Sequence, residues 1–249
     1  MVVHAPGADA WALAEYRGHE VTRDRDAFAL GRNRIARDDG GVSIVIDERS
    51  TPWRTPIRGR LRLETPSWQP RELALDAEAR HVWWPVAPSA SIEVELERPS
   101  LRFRGVGYHD TNAGCEALEQ AFSGWSWARG SDAEGTAILY DVTGHDGVVR
   151  ELALRHGADG VLGSIEAPAL HQLGSTRWRL PRPTRSDAGG NATLRRTLVD
   201  TPFYARSWID TQLGGRRLTA MHEVVDLRRF ERASTQWMLP FRTRGVGWF

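Results

Sequence analysis

Apolar and polar residues alternate along much of this chain. In residues 91–97, Ile92, Val94 and Leu96 interleave with Glu93, Glu95 and Glu97; in residues 57–64, Ile57, Leu61 and Leu63 interleave with Arg58, Arg60, Arg62 and Glu64. A period of two puts successive side chains on opposite faces, so each segment predicts a half-buried antiparallel strand with one face in water. Further strands are predicted at 41–47, 136–142, 148–154, 176–180, 193–199, 203–213 and 217–227, separated by Gly, Pro and Asp turns. Long apolar segments of helical period are missing, and residues 8–16 fit a helix or a strand equally well. Many medium strands with close turns predict a mainly β protein built as antiparallel barrels or sandwiches, and their number suits two such units. Pro99 breaks a strand, which places a boundary between domains at 1–98 and 99–249. The first of these is short and opens inside a strand-like run, so it is expected to be incomplete at its N-terminus.

The chemistry concentrates between Arg102 and Thr143. Two strand-like runs, LRFRG and TAILYDV, enclose a polar Gly-bearing segment, GYHDTNAG, predicted as a turn, and a short helix-like piece, CEALEQAF. Trp125 and Trp127 follow, two apart and therefore on one face of a strand. The stretch offers two carboxylates (Asp110, Asp141), His109, two phenols (Tyr108, Tyr140) and a pair of indoles. An acid beside a wall of aromatics suits protonation of an apolar substrate.

Composition removes several alternatives. All 33 basic residues are arginine. Without lysine there is no Schiff base, no phosphate-loop lysine and no kinase lysine. Gly105-Val106-Gly107 runs on into Tyr-His, so no dinucleotide fingerprint is present. Cys115 is the only cysteine, which excludes an internal disulfide and a cysteine-built metal site and fits a reducing, cytoplasmic setting. His222-Glu223 begins like a zinc-protease helix, but Asp226 stands where the second His belongs, and no metal is expected. No run approaches the roughly 18 apolar residues of a membrane span. Residues 1–150 carry 18 Arg against 23 acids and residues 151–249 carry 15 Arg against 9 acids. The basic second half is a candidate surface for an anionic membrane. Its arginines are too dispersed to predict nucleic-acid binding.

GVGYHDTNAG, then Trp125-x-Trp127, then LYDVT at 139–143, resembles the carotenoid 1,2-hydratases, also called hydroxyneurosporene synthases. The likeness extends through RHVWWPVAPSASIEVELERPSLRF (80–103), TPFYARSWIDTQLGG (201–215), HEVVDLRRF (222–230) and MLPFR (238–242), in order over essentially the whole chain. It implies two lipocalin-like β domains with the active site near their junction, and an N-terminal extension ahead of the point where this chain starts. It also implies addition of water across the terminal C1–C2 double bond of an acyclic carotenoid such as neurosporene or lycopene, with no organic cofactor. The motif departs from some relatives, which have His and Trp where this chain has Thr111 and Ala113; Asp110, Asn112 and Gly114 remain.

Hydrating such an alkene requires protonating carbon: the proton goes to C2, the charge to tertiary C1, and water attacks C1. A free Asp, with a pKa of about 3.9, is ionised at neutral pH, and burial against apolar walls raises that value. Asp141 lies inside an apolar strand on the face opposite Tyr140 and is the first candidate acid. Asp110, in a Gly-flanked segment, competes with it as acid or as the base that orients water. His109 is a candidate for orienting water or tuning an Asp, Tyr140 for donating to the water, and Trp125 and Trp127 for facing the developing cation. Trp83, Trp84, Tyr108 and Asn112 are candidate substrate contacts. Each aromatic also has a plain reading as core, and His109 as a hydrogen-bonded structural residue. A long hydrocarbon must be drawn from a membrane, so peripheral membrane contact is expected. The alternatives are an isomerase or cyclase on a hydrophobic substrate, and a carrier that needs no acid in its pocket.

Overall fold

The computed structural model describes residues 1–5, 9–65 and 68–239. In chain order its strands are β1 Val2–Val3, β2 Ala10–Trp11, β3 Val21–Arg23, β4 Ala27–Leu30, β5 Asn33–Asp38, β6 Gly41–Arg49, β7 Pro56–Glu64, β8 Leu73–Ala74, β9 His81–Arg98 and β10 Leu101–Gly114. They continue as β11 Phe122–Asp132, β12 Gly135–Gly144, β13 Val149–Gly157, β14 Leu162–Ser164, β15 Ala169–Gln172, β16 Pro183–Ser186, β17 Thr193–Asp200, β18 Tyr204–Leu213 and β19 Arg216–Asp226. The helices are short: α1 Leu118–Ala121, α2 Leu227–Phe230 and α3 Ala233–Met238. The mainly β, antiparallel class read from the alternation is the observed one, and among the described residues neither large sheet closes into a barrel.

By internal contacts the chain divides into two units, one built from Met1–Trp68 with Ser89–His109, the other from Gln69–Pro88 with Asp110–Met238. The division therefore falls inside β9 and β10, and Pro99 sits in the tight turn between these two neighbouring strands.

In the first unit the strands run in the order β10-β9-β7-β6-β5-β4-β3. Alternation sorts β7 and β9 as expected. Ile57, Leu63, Val94 and Leu96 are buried, while Arg60 reaches Glu95 at 2.7 Å and Arg104 reaches Glu93 at 3.1 Å across the wet side. Such exposed pairs contribute little each, but they leave the arginines of this face neutralised.

In the second unit seven strands lie in the order β14-β13-β12-β11-β19-β18-β17, so the last strand pairs with the first long one. One face is a packed core: Ala128, Ala137, Leu139, Ala153, Ile209, Leu213, Leu218 and Ala220, with Ala167 and Leu173 laid against it. The small residues on the central strands let that covering segment approach closely.

Two local expectations are corrected. GYHDTNAG is not a turn; it continues β10 to Gly114, because pairing with β9 satisfies its backbone, with Tyr108, His109 and Asp110 half-buried and Thr111 to Gly114 exposed. Residues 176–180 are not a strand. Thr176 and Leu180 close a loop on each other, with Arg179 in the left-handed region at φ 57°. Trp178 and Leu180 imitate strand alternation there, but only Leu180 is buried. Residues 8–16 resolve into the two-residue strand Ala10–Trp11, with Ala8 outside the described residues.

Ile209 is fully buried at the centre of the second unit's core. Ile209→Ala is expected to lower unfolding stability by about 2–5 kcal/mol, read as a shift in the urea midpoint at unchanged slope.

Candidate active site

The candidate site lies on the other face of the second unit's sheet. In β11, Trp125 and Trp127 point to one side and Ser126 and Ala128 to the other. Trp127 stands opposite Tyr140 on β12 and opposite Glu223 on β19, and Glu223 in turn stands opposite Arg206 on β18. Residues directly across a ladder share a face. Trp127, Tyr140, Glu223 and Arg206 therefore form one row, with Trp125, Val142, Val225 and Tyr204 in the next.

Asp110 joins this row through Trp83. The Trp83 indole is fully buried and packs edge-on against Tyr140, ring centres 5.1 Å apart at 80°. Its Nε1–H donates to Asp110 Oδ2 at 2.8 Å. The strand holding Trp83 is pinned to the same face by Arg129, whose Nε donates to the Pro88 carbonyl at 2.9 Å. Gly114 allows close packing nearby: a Cβ there would lie 2.3 Å from His81 Nδ1. Burial pushes the Tyr140 phenol well above its usual range, and the charges of Asp110 and Glu223 add to that. Burial and Glu223 do the same to Tyr204, with Arg206 opposing. Arg206 Nη2 meets Glu223 Oε1 at 2.5 Å, its guanidinium lies 6.0 Å from the Tyr204 ring, and its Nε–H is buried without a hydrogen-bond partner.

Asp141 faces the opposite way, as its position next to Tyr140 requires. Both its oxygens accept from Arg185 Nε, at 2.9 and 2.8 Å, and Arg185 Nη2 donates to Glu151 at 2.5 Å. Burial raises the Asp141 carboxyl above its usual value, with the Arg185 guanidinium opposing and Glu151 adding to the rise. A carboxylate gripped at both oxygens by one guanidinium is a structural ion pair. It ties β12 to the covering segment.

The remaining sequence candidates scatter. Trp84, next to Trp83 and so on the other side of β9, donates its Nε1–H to the Gln69 carbonyl at 2.6 Å. Asn112 is exposed. Tyr108 and His109 are half-buried and belong to the first unit. Trp83, Asp110, Trp127 and Tyr140 are the candidates brought into one row, with Trp125 beside it.

Glu223, Arg206 and Tyr204 were not read from the sequence, although a signal exists. Gly214 and Gly215 both have positive φ (60° and 77°), the backbone of a two-residue hairpin turn. That turn sets Leu213 opposite Arg216, and counting back along both strands brings Arg206 opposite Glu223. Alternation also explains His222-Glu223: the two residues take opposite faces. His222 is fully buried, its Nε2 2.8 Å from the Pro183 carbonyl. Among the described residues no group of three or more His, Cys, Asp or Glu is placed to hold a metal. No helix among them is long and apolar enough to cross a membrane.

Two large antiparallel sheets, with the Asp110 carboxylate of β10 bonded to the Trp83 indole that packs on Tyr140 of β12, define a lipocalin-like β protein with a carboxyl beside its aromatic face. A family model described as Carotenoid hydratase CrtC matches residues 1–248, and the chain belongs to that family. It is similar to acyclic carotenoid 1,2-hydratases of Thiocapsa roseopersicina (39% identical; 99% of this chain, 61% of the relative), Rubrivivax gelatinosus (35%; 97% and 60%) and Rhodobacter capsulatus (34%; 97% and 87%). The chain thus spans about six tenths of the length of the first two. A crystal structure of CghA with Sch210972 shares the fold, with a TM-score of 0.52 at 13% identity over 83% of this chain and 73% of that one.

Two outcomes follow from the buried charges. Asp141→Asn leaves buried Arg185 paired only with the half-exposed Glu151 and is expected to destabilise the fold, by up to about 3–5 kcal/mol, measured by denaturant unfolding. Burial pushes the His222 imidazole down to about 4, so the folded state keeps it neutral. An unfolded His takes up a proton near pH 6.5, so between there and pH 4 the unfolded state binds more protons and stability falls as pH falls, by roughly 3 kcal/mol over the window. His222→Gln should flatten that part of the stability–pH curve.

Proposed function

We propose that this protein adds water across the terminal C1–C2 double bond of an acyclic carotenoid such as neurosporene or lycopene, and that Asp110 is the acid. Family membership supports the reaction. The observation that carries the assignment of the acid is the Trp83–Asp110 hydrogen bond, which places a carboxyl against Trp83 and Tyr140 on the aromatic face, while Asp141 is engaged by Arg185 behind it.

In this reading Asp110 gives its proton to C2. The π electrons form the new C–H bond, and the positive charge develops on tertiary C1. Trp127 and Trp125 supply aromatic faces that attract a cation, by up to about 2 kcal/mol when water is excluded, and cannot trap it as a nucleophile would. Water attacks C1, forming the C–O bond, and its surplus proton passes to the Glu223 carboxylate. Arg206 orients that carboxylate and offers its buried Nε–H to the water oxygen. Solvent returns the proton from Glu223 to Asp110, so one water is consumed and the protein is restored. No organic cofactor enters this balance. Asn112 is left as a substrate contact, and Trp84 as a support for Trp83. Because the substrate dissolves in lipid, the protein would work at a membrane surface without spanning it.

The test is conversion of lycopene in detergent micelles by purified Asp110→Asn. General acid catalysis of this kind contributes about 10²–10⁴ in rate, so the folded variant should lose at least a hundredfold of the product that is heavier by one water. Wild-type-like turnover by Asp110→Asn would sink the assignment of the acid. No product from the folded parent protein would sink the hydratase reading.

A further inference from the structure

We propose that one end of the second unit, formed by the 176–179 turn with helices α2 and α3, is a docking surface for an anionic lipid bilayer. The turn reads Thr176-Arg177-Trp178-Arg179 and projects an indole that is 40% exposed between two exposed guanidiniums. Arg229 fastens α2 to it, donating to the carbonyls of Trp178 at 2.7 Å and Arg179 at 3.1 Å. Arg229 thus brings α2, which also carries Arg228, and the following Arg232 to the turn of Arg177 and Arg179; the Arg228 Nη2 donates to the His145 carbonyl at 3.2 Å. On α3, which follows at once, Trp237 is 76% exposed.

In the first unit Arg58, Arg60, Arg62, Arg102 and Arg104 meet carboxylates across the ladder. Here Arg177, Arg179, Arg228 and Arg232 form no ion pair among the described residues; Arg229 alone holds one, to Asp226 at 3.1 Å. The other acids are Glu231, exposed on the same segment, and Asp200, one of whose oxygens accepts the Arg177 backbone N–H at 2.9 Å. Guanidiniums exceed carboxylates, and the unpaired ones flank exposed indoles. Indoles favour the bilayer–water boundary, and arginines beside them find lipid phosphates at that depth. A nucleic-acid surface would instead require a longer basic track.

The proposal rests on the hydratase reading only for the use of such contact, so the test keeps the two apart. Flotation of the full chain, without carotenoid, compares pure phosphatidylcholine vesicles with vesicles of phosphatidylcholine and phosphatidylglycerol. Binding should favour the anionic vesicles and weaken with salt. Each basic residue near such a surface contributes about fivefold, so Arg177→Gln/Arg179→Gln should bind roughly thirtyfold more weakly. Trp178→Ala/Trp237→Ala should also weaken binding while leaving its salt dependence. Equal affinity for the two vesicle types, unchanged binding by folded double variants, or preference for duplex DNA over vesicles would overturn the proposal. Conversion of lycopene in micelles by the same preparations, with no vesicle binding, would remove the docking surface and leave the hydratase reading standing.

Discussion

The register of β11 between β12 and β19 decides where each functional group lies. With Trp127 aligned to Tyr140 on one side and Glu223 on the other, every odd-numbered position of β11 from Trp125 to Arg129 joins the aromatic face, and every even one joins the core. A slip of one residue would exchange the two faces completely. The core face resists that slip. Ala128, Ala137, Ile209 and Ala220 interlock there, and moving Trp127 into their place would require opening a close-packed layer. The aromatic face inherits its geometry from this constraint, which frees its own residues for chemistry.

The two aspartates illustrate the consequence. They lie in the same central stretch, each near Tyr140 in sequence or in space, and composition does not separate them. Asp141 follows Tyr140, so the pleat turns it to the core side, where pairing with Arg185 makes a buried carboxylate tolerable. Asp110 arrives on a different strand and meets an indole N–H, with Trp83 wedged between it and the Tyr140 ring. The first arrangement couples a carboxylate to a guanidinium. The second puts a carboxyl next to π surfaces, the arrangement from which we propose that a proton is offered to carbon.

Much of this was legible from alternation alone. The strands at 57–64, 91–97, 136–142 and 193–199, and the shared face of Trp125 and Trp127, follow from the period of two and were found where it placed them. What alternation could not supply was which distant segment covers each face. Nothing local in the sequence says that Arg185 closes over Asp141, or that Trp83 crosses to Tyr140. GYHDTNAG misled because its glycines and polar residues resemble a turn, whereas a long hairpin partner makes the extended form the better hydrogen-bonded one. Residues 176–180 misled in the opposite direction, since apolar residues two apart also suit a loop that buries one of them. Arg206 and Glu223 were within reach through the Gly214-Gly215 turn, had the hairpin been counted back to its far end.

The account stands on a cation forming at C1 against the aromatic face. The most direct measurement is the affinity of an acyclic analogue in which a protonated dimethylamino group replaces the C1 end, since a site complementary to the transition state binds such a mimic better than the neutral hydrocarbon. The account predicts tight binding that weakens in Trp127→Leu and Asp110→Asn and is preserved in folded Asp141→Asn. Binding that survives the first two changes and is lost in the third would place the cation on the other face and contradict it.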